Sequence, residues 1–422
     1  MGVNLDWTRD PVPPQITSFQ QFVRDFAWSK TALGHIESWR RELRQCVRFM
    51  MADNAPIVLY WGPTHTIMYN EAYIPLVGAK HPAMMGSNAP DVFPEFWDYF
   101  AGVISEMSET GRTATGEATR LLMERHGFLE ETFFSWKLIP VIGDDGSLLG
   151  VYGAPEDKTT AVIGERRTMC IQTLTQRLAT ASTFKDLWRV TIEGLGQNDR
   201  DIPFALLYCD GSSLRFGSPA ISRSFEVVGG IGISQSHPLR SQEVDLDGGL
   251  DGLSTAIREA VANMRTVVVS ADGLDMATLL SLSDVQWKGA GEPSKQFAVV
   301  PIAGGSKTPA ALVIGLNPYR RYNPWYQQFL EMISDVLASS LSKIRLSEEL
   351  KYRAEIASKA ARDFQKTEMR FSRFANRSTV GLAVMDLAGK VRIQRSARRT
   401  TMLISLDHLR KRGLVSLHRR RS

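Results

Sequence analysis

The chain has 422 residues, 43% hydrophobic and 23% charged, values that exclude wholesale disorder and a fibrous class and suggest two to four domains at roughly 100–200 residues each. The net charge of +5 comes from one end: residues 386–422 hold eleven Lys or Arg against two Asp. The rest is therefore net −4 and gives no reason to expect nucleic-acid binding.

Cys46, Cys170 and Cys209 are too few and too scattered for a disulfide framework or a four-thiolate zinc site, which places the chain in a reducing compartment, the cytoplasm. The first residues, MGVNLDWTRDPVPPQ, lack the apolar core of a signal peptide. No run of about 18 apolar residues forms a membrane span.

In chain order, residues 1–30 read as a polar segment broken by Pro11, Pro13 and Pro14. Ile36, Trp39, Leu43, Val47 and Met50 at helical spacing predict a helix over 33–51. APIVLYW (55–61) and TIMYN (66–70) predict two strands, followed by short helices at 71–77 and 96–108. Strands at 115–124, 132–142 and 148–153 follow, the last two joined by the turn GDDG. Two strands, helices and a three-strand meander describe one antiparallel sheet, and residues 159–182 read as a helical connector. A second unit opens with a helix at 184–195 and PFALLYC (203–209), an apolar run typical of a central strand. Residues 210–250 read as loop with short strands, then a helix at 254–265, the strand VVVS, and a hairpin over 297–316. A long helix starts after Asn323-Pro324. Its apolar positions Leu330, Ile333, Leu337, Leu341 and Ile344 step by three and four and resume as Leu350, Ala354, Ala357, Ala361 and Phe364, a coiled-coil-like stripe.

Several stretches carry a resemblance. DFAWSKTALGHIESWRREL, VLYWGP, MYNEAYIPLVGAKHPAMMG, VFPEFWD, ERHGFLEETFFS and VIGERRTMCIQTL resemble the PAS-like domain that heads many soluble hybrid histidine kinases. DIPFALLYCD and KQFAVVPIAG…PAALVIGLNPYRRYNPWYQQFLEMISDVLASSLSKIR resemble the entry and end of the GAF domain that follows it there, and RFSRFANRSTVGLAVMDLAGKVRI resembles the opening of a second PAS domain. The resemblance implies an α+β chain: a PAS-like domain over 31–158, a helical connector over 159–183, a GAF domain over 184–322, a signalling helix over 323–376, and a truncated second PAS start within 377–422, whose remaining tail resembles nothing in that family and reads as disordered because its basic residues repel one another. It also implies a two-component phosphorelay context. None of the seven histidines sits in a His-Glu-x-x-x-Pro box, and no Asp-x-Gly-x-Gly nucleotide box is present, so no phosphotransfer is expected from this chain.

Chemical candidates are few. GGSKT (304–308) lacks the Gly-x4-Gly-Lys spacing and joins two strands, so it reads as a hairpin turn rather than a phosphate loop. Cys170 and Cys209 read as buried structural thiols. No histidine has metal-ligand spacing, and no catalytic residue or cofactor is evident. Glu130-Glu131 and Asp144-Asp145 read as solvated surface. Asn70 reads as the cap of the helix after it. Trp61, Tyr69, Tyr73, Phe133 and Trp136 are the candidate lining of a small-molecule pocket in the PAS-like sheet, against a reading in which such rings only fill the core.

The function expected is that of a sensory PAS–GAF protein that relays a ligand- or partner-induced change through the long helix, as a homodimer through residues 330–364. The alternatives are a fragment of a sensor histidine kinase whose catalytic core lies elsewhere, and a dimeric scaffold without a ligand. The tail is read as an end without a selected role, not as a surface for nucleic acid or an acidic membrane.

Overall fold

The computed structural model describes residues 5–210, 224–234, 236–237, 243–245, 252–274, 282, 285–304, 310–377, 382–385 and 391–394, with the backbone alone at 252 and from 374 onward. The chain divides into two compact units, Met1–Ile344 and Arg345–Ser422. Two antiparallel sheets lie in the first unit.

The first sheet is built from β1 (Val58–Trp61), β2 (Thr66–Tyr69), β3 (Ala114–Glu124), β4 (Leu129–Ile142) and β5 (Leu148–Asp157), in the order β2-β1-β5-β4-β3. β1 and β2 form a hairpin, with Val58 opposite Tyr69. Three helices, α3 (Ile74–Val77), α4 (Ala89–Val92) and α5 (Trp97–Thr110), carry the chain to the far edge, and a meander brings β5 back beside β1. GDDG closes β4 onto β5: Gly146 takes a left-handed φ of 80°, and the Gly143 N–H donates to the Ser147 carbonyl at 2.8 Å.

Residues 5–30 correct the reading of a merely polar segment, because their large apolar side chains belong to the core. Helix α1 (Ser18–Asp25) starts with a capping box in which Thr17 and Gln20 bond reciprocally. Its Phe19 and Val23 are buried together with Trp7 and Trp28. The helix expected over 33–51 begins later, as α2 (Arg41–Ala52), after a single 3-10 turn at Ile36–Ser38. Buried Arg44 ties these parts together, donating to the carbonyls of Thr8, Glu37 and Trp39 at 2.6–3.0 Å. Composition missed this because polar residues separate a few large rings, and those rings supply the buried area.

The second sheet runs β8-β7-β6-β11-β10-β9, from β6 (Phe204–Cys209), β7 (Ser224–Ile231), β8 (Val244–Asp245), β9 (Val267–Ser270), β10 (Gln296–Ile302) and β11 (Ala310–Gly315). β6 and β11 are buried along their whole length, as central strands covered on both faces must be. Alternation splits their side chains. Ala205, Leu207, Cys209, Leu312 and Ile314 pack with α6 (Thr159–Leu178), α7 (Phe184–Leu195) and α9 (Pro324–Arg377). Phe204, Leu206, Tyr208, Ala311 and Val313 pack with α8 (Gly252–Asn263).

Helix α9 begins at Asn323, whose Oδ1 accepts the Tyr326 N–H at 2.9 Å. Leu330, Ile333, Leu337, Leu341 and Ile344 are all buried in the core of the second sheet. This corrects the expected homodimer contact over 330–364: its first half is occupied by the chain's own fold. In the second unit α9 continues with Leu346, Leu350, Ile356 and Phe364 exposed. β12 (Leu382–Met385) then pairs antiparallel with β13 (Val391–Gln394). The rest of the basic tail, most of 210–250, and 305–309, which include all of the GGSKT turn but Gly304, lie outside the described residues.

Candidate functional site: an apolar cavity and a buried charge junction

The first sheet bears a cavity of about 50 Å³ between β1, β3, β4 and β5 and the helical segment that crosses them. Val58 and Tyr60 line it from β1, Leu121 and Met123 from β3, and Phe134, Trp136 and Leu138 from β4. Each set steps by two, as side chains on one face of a strand must. Tyr73, Phe96 and Phe100 close it from the helical side. The Tyr60 and Tyr73 phenols interact there. Burial pushes the Tyr60 pKa up to about 12, and burial together with Tyr60 holds Tyr73 well above the ordinary phenol value, so both stay protonated. The Trp136 Nε1–H is already committed to Thr119 Oγ1 at 3.0 Å. The cavity is thus apolar, with a phenol pair as its polar feature. At this volume it admits only a small molecule, since drug-sized ligands fill roughly 300–1,000 Å³.

Of the five candidate rings, Tyr73 and Trp136 line the cavity, whereas Trp61, Tyr69 and Phe133 do not. Strand parity separates them. Trp61 follows Tyr60 and Phe133 precedes Phe134, so each points to the opposite face. Tyr69 is fully buried among Phe19, Tyr73 and His81, with its hydroxyl 2.7 Å from His81 Nδ1. Sequence reasoning missed Tyr60 and Phe134, which the alternation VLYW and TFFSW would have supplied. Asn70 does not cap the helix after it. Its Oδ1 accepts the Ile57 N–H, and its Nδ2 donates to the carbonyls of Met50, Asp53 and Ala55, clamping the end of α2 to β1.

The cavity strands β3 and β4 meet in a hairpin whose far end is the second feature. Glu130 and Glu131, expected on the solvated surface, are buried. Glu131 is completely enclosed: Oε1 accepts from Arg120 at 2.8 Å, and Oε2 accepts from Arg166 on α6 and from Asn317 after β11, at 3.2 and 3.0 Å. Its N–H donates to the Tyr319 carbonyl at 3.0 Å. Glu130 accepts from Arg125 at 2.8 Å and from Arg320 at 2.7 Å. Arg125 also holds Asp157 at 2.7 Å, and Arg166 and Arg167 share Asp201 at 2.9 and 3.0 Å. The Asp201 carbonyl accepts from the buried Tyr326 hydroxyl in the first turn of α9. Hydrogen bonds therefore run from the β3–β4 hairpin to the start of the long helix.

Burial alone raises the pKa of each of these carboxylates. For Glu130 the Arg125 hydrogen bond and charge overcome it, for Glu131 the Arg166 charge and the Arg120 bond, and for Asp201 the Arg167 and Arg166 charges. All three end below their ordinary values. The sequence gives no local sign of this, because Arg166 and Arg320 are 35 and about 190 residues away. The thiols behave otherwise: burial pushes Cys170 up to about 11 and Cys209 to about 12, leaving them unreactive at neutral pH. Among the described residues no group of His, Cys, Asp or Glu is placed to hold a metal, and no helix is long and apolar enough to cross a membrane.

No family model matches the chain, and no curated protein matches it. Solved structures do. The PAS domain of a protein from Colwellia psychrerythraea aligns over 28% of this chain and 98% of its own length, at 18% identity and a TM-score of 0.24. The GAF domain of a phosphoenolpyruvate-protein phosphotransferase from Coxiella burnetii aligns over 44% and 98%, at 12% identity and 0.33. The Stigmatella aurantiaca phytochrome photosensory core module aligns over 82% and 72%, at 13% identity and 0.34. At these scores the likenesses add nothing to the strand orders described above.

Proposed function

We propose that the chain is a sensory, regulatory protein of the PAS–GAF type, in which occupancy of the small cavity is passed through the β3–β4 hairpin and the buried charges to the start of α9. The observation that supports this is the continuity of β3 and β4. The strands that carry Leu121, Met123 and Phe134 into the cavity carry Glu130 and Glu131 into the junction. A ligand that spreads these strands changes the free energy of the junction, and a shift of equilibrium needs such a differential interaction. The ligand is small and mainly apolar, with one group that bonds the Tyr60–Tyr73 pair. The output belongs to a two-component phosphorelay, with phosphoryl transfer done by another chain or segment. The exposed stretch of α9 over 346–364 meets a second copy.

The test is to fill the cavity. Ala154 lines it, so Ala154→Phe stands in for a bound ligand. Amide exchange over 317–326 is expected to change together with that over 121–134. Exchange that changes in 121–134 alone, with 317–326 as in the native chain, would defeat the relay.

A further inference from the structure

A second cleft, of about 450 Å³, opens between α6 and the start of α9 and lies beyond the charge junction. Its lining holds two guanidiniums, Arg167 and Arg320, and no carboxylate. Thr160, Thr168, Asn323 and Gln328 add neutral hydrogen-bonding groups. The aromatic contribution is Trp325, which is 70% exposed, together with Phe329.

Both arginines are partly spent within the protein. Arg167 donates from Nε and Nη2 to Asp201 and lies over the Tyr326 ring, 4.1 Å from its centroid. Arg320 donates only from Nη1, to Glu130 and the Glu131 carbonyl. That leaves Arg167 Nη1 and Arg320 Nε and Nη2 without an acceptor among the described residues. The charges point the same way. Five guanidiniums (Arg120, Arg125, Arg166, Arg167 and Arg320) face four carboxylates (Glu130, Glu131, Asp157 and Asp201), so the cluster keeps one positive charge in excess at the wall of the cleft. Burial lowers the Arg320 pKa; Glu130 opposes this, and the Arg167 charge adds to it. An anion in the cleft relieves that repulsion. Planar guanidinium donors suit carboxylate and phosphate oxygens, and an exposed indole is a stacking surface for a second ring.

We propose that this cleft binds a small organic anion built on a planar aromatic ring, with Arg320 and Arg167 holding the acid group and Trp325 the ring. The volume lies within the range of small-molecule sites. The ligand is distinct from that of the β-sheet cavity, which has no cationic lining.

The test is calorimetric titration of the full chain with two anions, AMP and 2-naphthoate, each beside its neutral counterpart, adenosine and 2-naphthamide. At least one anion is expected to bind at least tenfold more tightly than its neutral partner, and which one does so tells phosphate from carboxylate. Gln328 is exposed on α9 and has no part in the junction, so Q328E should weaken that anion at least tenfold and leave the melting temperature unchanged. T168E, from α6, should do the same. Equal binding of anion and neutral partner, binding of neither anion, or unaltered affinity in both variants would overturn the proposal. So would a dimer that W325E dissociates, since a second copy would then fill the cleft.

Discussion

Residues 330–344 and 346–364 of α9 repeat apolar side chains at the same steps of three and four, yet their surroundings differ. Leu330, Ile333 and Leu337 have no exposed surface, whereas Leu350 is 57% and Phe364 72% exposed. The first stretch starts from a fixed end: Asn323 caps the helix, and the Tyr326 hydroxyl bonds the Asp201 carbonyl and accepts the Asn317 N–H. That anchor lays the stripe on β6, β10 and β11. The second stretch is exposed among the described residues, and three of its five stripe positions are alanine. Helical spacing therefore defines a face but not what covers it.

The largest effect expected is at the anchor. Glu131→Ala removes the acceptor of Arg120, Arg166 and Asn317 and leaves buried charge uncompensated, at a cost of about 3–5 kcal/mol; a chemical denaturation midpoint close to native would mean that the junction is not structural. Leu337→Ala empties a core position and should cost about 2–5 kcal/mol, read in the same titration. A drop in sedimentation coefficient without loss of stability would instead assign the first stretch to a dimer.

Acid gives an intermediate effect. Glu130, Glu131, Asp157 and Asp201 all titrate below ordinary carboxylate values in the folded chain. The unfolded chain therefore takes up protons first, near pH 4. The stabilisation is complete above that pH and is lost as pH falls through the lower folded values. Denaturant midpoints should hold from pH 7 to about 5 and then fall, with a shallower fall in Glu131→Gln. A profile that stays level to pH 3 contradicts this. The smallest effect belongs to the second stretch. Leu350→Ala should move the melting temperature of the first unit by no more than the equivalent of about 0.5 kcal/mol, and a larger shift would show that the exposed face is covered.

Much of the fold was legible because it rests on local pattern. VLYW, PFALLYC and GDDG mark β1, β6 and the β4–β5 turn, and Asn323-Pro324 marks the start of α9. The sites were less so. Of the five candidate rings two face the cavity, since composition picked the aromatic residues and ignored the parity that pairs Tyr60 with Val58. Glu130-Glu131 looks like any exposed acidic pair, because burial there depends on arginines from α6 and from the turn after β11. Asn70 sits where a cap belongs, but its amide has better partners in the chain that precedes β1.

The backbone bond from Glu131 to Tyr319 and the charges around it also bear on how the protein can be taken apart. A cut at the start of the helical connector, before Arg166, looks harmless from the order of elements along the chain. It would leave a first fragment in which Glu130 loses Arg320, and Glu131 loses Arg166 and Asn317, while the second fragment keeps Arg320 with no carboxylate opposite. Each piece would expose at its broken edge ionic groups arranged for burial. The two sheets are better regarded as halves of one folding unit than as interchangeable cassettes, and transplanting either onto another protein calls for moving the hairpin and its arginines together.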